Sequence, residues 1–199
     1  MASKVWFITG ASKGFGMELT KAALDAGDTV VATARNPKTI EGTFGKHDRL
    51  LTLKLDVTSE QQAREAVDAA LKQFGQIDVL VNNAGRGLVG AVEEVTAEEV
   101  RAAFAVNVEG TLNVSRAALP SMRARKSGHI LNLSSVGGFV SWPGWGHLLR
   151  DQVHGRRLQR SHARRTQTAR HQSHHRRTGT VPYRFPGCFV AGAHQERYQ

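Results

Sequence analysis

The stretch Thr9-Gly10-Ala11-Ser12-Lys13-Gly14-Phe15-Gly16 has the composition of a phosphate cradle. A phosphate needs backbone N–H groups at close range and positive potential beside it. Glycines remove the side chains that would hold it off, and the first turn of a following helix supplies donors and the positive end of a dipole. The spacing is G-x-x-x-G-x-G. Many turns look similar, so the reading depends on a strand before the loop and a helix after it.

Other polar residues are spaced along the chain where such a ligand could meet them. Lys13 and Arg35 are placed for the adenosine ribose. A carboxylate at the end of a second strand holds the 2′-hydroxyl of NAD, whereas an arginine suits the 2′-phosphate of NADP. Two bases and no acid at that place favour NADP over NAD; a solvated surface base is the bland alternative. Asp56-Val57 follows a third strand. Its carboxylate could accept from an adenine amino group or cap the next helix. Asn82-Asn83-Ala84-Gly85 could form a simple turn or let the chain pass close to a bound nucleotide.

The elements that would position these groups are legible from periodicity. Short apolar runs at Lys4–Thr9, Thr29–Ala34, Leu50–Leu55, Ile77–Val81 and His129–Leu133 predict five strands. Helical spacing predicts helices over Phe15–Asp25, closed by Gly27, and over Glu60–Phe74, closed by Gly75. Ala97–Met122 predicts a long helical stretch broken into two near Gly110. Strands alternating with helices predict an α/β fold: a Rossmann-like, doubly wound parallel sheet with helices on both faces. Its ligand site lies beyond the carboxyl ends of the strands, where every group above falls.

TGASKGFG, NNAG, Asn107 within AVNVEG, and the strand end Asn132-Leu133-Ser134-Ser135 together resemble the short-chain dehydrogenase/reductases. The match covers about residues 3–146, with four motifs in the family's order. The resemblance implies an NAD(P)-dependent oxidoreductase moving a hydride between a nicotinamide and a small carbonyl or alcohol substrate. By the same resemblance Asn83, Ala84 and Gly85 border the adenine and ribose path. Asn107 would hold a proton-relay water, and Ser135 would hydrogen-bond the substrate oxygen.

The family also needs a tyrosine thirteen residues after that serine and a lysine one turn further on. The tyrosine exchanges the substrate proton, and the lysine lowers its pKa. Those places hold Leu148 and Gln152, which can do neither. The genetic code offers a reason. From Leu148, a reading one base later permits Tyr-Cys-Ala-Thr-Lys. Arg170–Gly179 then permits Gly-Ile-Lys-Val-Thr-Ile-Val-Glu-Pro-Gly, and Val181–Phe185 permits Phe-Arg-Thr-Asp-Phe. All three resemble the family's continuation, which implies a single-base frame change near Gly146–His147. The chain as written is then expected to be inactive.

Composition divides at the same point. The net charge of +10 is almost all carboxyl-terminal. Residues 147–199 hold 11 Arg, no Lys and 7 of the 9 His against two acids, Asp151 and Glu196. Residues 1–146 are nearly neutral, with 16 Lys and Arg against 15 Asp and Glu. The expected organisation is a nucleotide-binding domain over 1–146 and a basic, poorly packed tail over 147–199. The rival readings are a redox-inert NADP-binding module and a polyanion-binding protein acting through the tail. The tail lacks interleaved aromatics and zinc-finger spacing, so specific nucleic-acid binding is not expected. Its histidines, His171, His174 and His175, lack carboxylate or cysteine partners, so no metal site is expected. Trp142 and Trp145 could line a substrate pocket or cover the core. The single cysteine, Cys188, excludes an internal disulfide. No leader or membrane span is evident, so the cytoplasm is expected. The family's homo-oligomers use the helix after Gly146, so assembly is not carried over to this chain.

Overall fold

The computed structural model describes residues 3–135. Trp142, Trp145, Leu148, Gln152, Cys188 and the basic tail lie outside them.

β1 (Val5–Thr9) runs into α1 (Gly14–Asp25), then β2 (Thr29–Ala34), α2 (Lys38–Phe44), β3 (Leu50–Lys54) and α3 (Glu60–Phe74). β4 (Val79–Asn82) leads to α4 (Ala97–Phe104), a π-helical turn over Ala105–Gly110, α5 (Thr111–Ala124) and β5 (His129–Asn132). The strands form one sheet in the order β3-β2-β1-β4-β5, and every pairing is parallel. The chain winds outward from β1 to β2 and β3, then returns to add β4 and β5 on the other side. The strand order therefore reverses between β1 and β4, and the crevice at their carboxyl ends is where such sheets take ligands.

Each face of the sheet has its own core. Phe7, Val31 and Leu80 point to the side covered by α3 and α5, where they meet Val67, Ala70, Val114 and Ala118. Ile8, Val30, Ala32 and Val81 point to the other side, against Ala23 and Leu24 of α1 and Ile40 of α2. Strands buried on both faces read as unbroken apolar runs, which is why Val5–Thr9 and Thr29–Ala34 show no polar alternation.

Boundaries differ from the sequence expectation by one or two residues in most elements. Two differences have physical reasons. The stretch after Ala97 is not broken at Gly110. Its backbone stays right-handed throughout, and the helix widens by one π turn. Gly110 is there for packing: a Cβ on it would lie 2.6 Å from Val57 Cγ2. The fourth strand begins at Val79 rather than Ile77, because Ile77 and Asp78 make a polar anchor at the sheet's amino end. Asp78 accepts from Val5 N at 2.9 Å, Gln76 Nε2 at 3.0 Å and Arg125 Nη1 at 3.0 Å. Arg125, just past α5, also donates to Ile77 O.

The Asp78–Arg125 pair is largely buried, with side chains 19% and 28% exposed. Removing one partner leaves the other charge poorly solvated. Asp78→Ala is therefore expected to destabilise the fold by about 2–3 kcal/mol, read as a lower urea midpoint with an unchanged slope.

Among the described residues the sheet ends at β5, where Leu131 and Leu133 are each 37% exposed. No helix of the described residues is long and apolar enough to cross a membrane.

Candidate functional site

The glycine loop occupies the junction its composition requires, after β1 and into α1. Gly10 and Gly14 have φ of +66° and +57°, a region that costs other residues about 1 kcal/mol or more. Ala11 N donates to Thr33 O at 2.9 Å, which ties the loop to β2. α1 begins on Lys13 in an extended conformation with no side-chain cap. Ser12 is half-buried, and Lys13, Gly14 and Phe15 are exposed. Phe15 is 55% exposed, a large apolar ring at the lip of the crevice.

The loop and the NNAG segment are one structure. Thr9 is fully buried at the end of β1. Its hydroxyl oxygen accepts from Asn83 N and Ala84 N, both at 3.0 Å, and its proton goes to Val81 O at 3.3 Å. The Asn83 side chain donates from Nδ2 to Thr9 O at 2.8 Å and to Gly10 O at 3.0 Å. A Cβ on Gly16 would sit 2.5 Å from both Asn83 Nδ2 and Gly10 O, and one on Gly10 would sit 2.9 Å from Ala84 Cα. Asn83 thus braces the turn, and the two glycines admit the brace. The sequence placed Thr9 at the head of the glycine motif but gave no sign that its hydroxyl would hold the Asn83–Ala84 backbone.

Asn107 sits on the π turn and reaches back to the chain after Gly85. Its Oδ1 accepts from Arg86 N, and its Nδ2 donates to Arg86 O, both at 2.9 Å. A Cβ on Gly85 would meet Asn107 Oδ1 at 3.3 Å. The side chain is thus engaged with backbone. Its main-chain oxygen takes the Thr111 hydroxyl at 3.0 Å and keeps a second lone pair.

Asn82 ends β4 and is buried. Its Nδ2 donates to Ser115 Oγ at 3.0 Å and to Asn132 Oδ1 at 2.6 Å. Its main-chain oxygen accepts from Leu133 N at 3.0 Å, so it steers the chain toward Ser134 and Ser135. Ser135 is half-buried. The sequence marked Asn82 only as part of the Asn82–Gly85 segment and did not mark Ser115.

Arg35 is exposed and is the first residue after β2 rather than its last. Asp56 and Val57 lie two and three residues past β3. Asp56 does not cap α3. Ser59 does, its hydroxyl accepting from Gln62 N at 3.2 Å. Asp56 Oδ1 accepts instead from Thr58 N at 3.0 Å and Thr58 Oγ1 at 2.8 Å. Val57 is buried under Gly110.

α4 opens on a capping box. Thr96 accepts from Glu99 N, and the Glu99 carboxylate accepts from Thr96 N. The Glu99 carboxylate accepts from Thr96 N at 2.9 Å and from the Thr96 hydroxyl at 3.0 Å, and these two bonds favour its charged form and lower its pKa below the usual value.

The short chain dehydrogenase model matches residues 4–147. The chain belongs to that family. An oxidoreductase from Botryotinia fuckeliana is 43% identical over 145 residues, covering 71% of this chain and 53% of that protein. A 3-ketoacyl-(acyl-carrier-protein) reductase from Brucella melitensis, solved with NADH, superposes with a TM-score of 0.80 at 31% identity. That match covers 83% of this chain and 71% of the reductase. A gluconate 5-dehydrogenase from Burkholderia cenocepacia, solved with NADP and tartrate, gives 0.77 at 27% identity over 83% of this chain and 66% of its own. The short-chain dehydrogenase spans about half the length of the curated relatives it matches.

Proposed function

We propose that this short-chain dehydrogenase chain carries the nucleotide-binding part of a carbonyl or alcohol oxidoreductase that prefers NADP, and that as written it lacks the acid–base pair. One observation supports the first half above others. The glycine loop is pinned open by Thr9 and Asn83 at the β1–β4 crevice, with backbone rather than side chains facing the α1 terminus. A pyrophosphate fits that cradle, because Gly10, Gly14 and Gly16 keep side chains out and Ser12 can add a hydroxyl donor.

Lys13 and Arg35 supply positive charge at the adenosine end, and neither has an ion-pair partner among the described residues. Asp56 keeps Oδ2 for an adenine amino group, and Val57, Ala84 and Gly85 line the path beside it. Phe15 covers the nicotinamide side. The nucleotide, when bound, supplies the hydride chemistry; the protein supplies orientation and a proton path. Asn107 and Ser135 belong to that path, Asn107 through its main-chain oxygen and Ser135 through its hydroxyl.

NADPH fluorescence should rise saturably on titration with the purified chain, and NADH should bind more weakly. Failure of both nucleotides to bind would sink the reading. Arg35→Ala is expected to weaken NADPH roughly tenfold or more while changing NADH little, because a charge-assisted contact to the 2′-phosphate is lost.

The second half rests on Leu148 and Gln152. The frame change near Gly146–His147 accounts for both and for the sudden excess of arginine and histidine. The domain division at 146 follows from it.

A further inference from the structure

We propose that Asn113 is a positioning residue for the adenine end of the nucleotide site. This rests on the nucleotide-binding reading above and adds a residue on α5 to it. The Asp56–Thr58 turn that would face adenine is held by the buried Val57 side chain, by Ser59 N donating to Asp56 O at 3.0 Å and by a few side-chain bonds. Gln62 Oε1 accepts from Asp56 N at 2.9 Å, and Asp56 and Thr58 bond to each other. On its far side a groove of about 420 Å³ opens between Thr58 and Glu60 on one wall and Glu109, Leu112, Asn113 and Arg116 on the other. The Val57 side chain anchors the turn in the core, while the flanking polar residues border the groove.

Asn113 crosses it. Its Nδ2 donates to Val57 O at 3.1 Å, with Thr58 O at 3.5 Å as a weaker second acceptor. One helical turn earlier, Gly110 lies so close to Val57 that a Cβ would clash at 2.6 Å. The helix thus sets the turn's height through Gly110 and its tilt through Asn113. The Asp56 carboxylate is carried on that turn, with Oδ1 held by Thr58. Rotation of the Val57 carbonyl would swing Oδ2 away from a base lying in the crevice.

The test uses the full chain and two nucleotides. Asn113→Ala keeps the helix, since alanine is a strong helix former. Asn113→Asp keeps the size but removes the donor and faces a carboxylate with a carbonyl. NADPH should bind each variant roughly fivefold more weakly, the scale of one lost hydrogen bond. Deamino-NADPH has hypoxanthine in place of adenine, so it has no 6-amino group for Asp56. Its affinity should change less than about twofold, because the contact being positioned is already missing. Equal losses for both nucleotides, or none for either, would overturn the assignment. Wild-type chain that binds neither nucleotide would instead overturn the nucleotide-binding reading, and this inference with it.

Discussion

Gly16→Ala is expected to abolish measurable NADPH binding and to lower the stability of the fold by about 2–3 kcal/mol. The added methyl would overlap Asn83 Nδ2 and the Gly10 carbonyl at 2.5 Å. The carbonyl is backbone and cannot step aside, so the Asn83 brace must break. Its two bonds to Thr9 O and Gly10 O are lost together, and the loop closes on the space a pyrophosphate would fill. Gly14→Ala is the informative contrast. Nothing lies within 4 Å of its Cβ, so its cost is the φ of +57° alone, about 1 kcal/mol. Thermal melts and NADPH titration of both variants check the order. If Gly16→Ala bound as the parent does, the cradle would not be where the nucleotide sits.

Restoring the reading frame is expected to have the larger catalytic effect. Deleting one base between codons 146 and 148 should give a chain with tyrosine at 148 and lysine at 152. Its NADPH oxidation against a panel of carbonyls should exceed that of the chain as written by at least about 10²-fold, the lower end of what general acid–base catalysis contributes. The double substitution Leu148→Tyr and Gln152→Lys should fall well short of this, because Arg170–Gly179 and Val181–Phe185 remain out of register. Equal activity of the two would argue that the downstream segment is dispensable and that no frame was lost. An active parent chain would refute the idea directly. Sequencing the gene across codon 147 decides whether the change is in the DNA.

The sheet was legible because burial on both faces leaves a plain signature. Val5–Thr9 and Thr29–Ala34 could hardly be anything but central strands, and the glycine loop was expected where it lies, between a strand and a helix. α2 was missed, since Ile40 and Phe44 are its only apolar anchors and Gly42 sits between them. The expected break at Gly110 was a misreading of a common sign. A glycine in a helix can mark flexibility or close packing, and only the neighbour decides which. Here the neighbour is Val57, more than fifty residues away.

By itself, then, the amino-acid order determined the strand–helix alternation, the residue types at each strand end and the point where a nearly neutral composition gives way to one rich in arginine and histidine. Those properties are local: propensity, period and composition act within a few residues of one another. Only the folded chain decided what each polar group is bonded to. Thr9 meets Asn83, Asn82 meets Ser115, Asn107 meets Arg86 and Asn113 meets Val57 across separations from 21 to 74 residues. No pattern along the chain records those partners, because a donor bonds to whichever oxygen the packing of sheet and helices brings to about 3 Å.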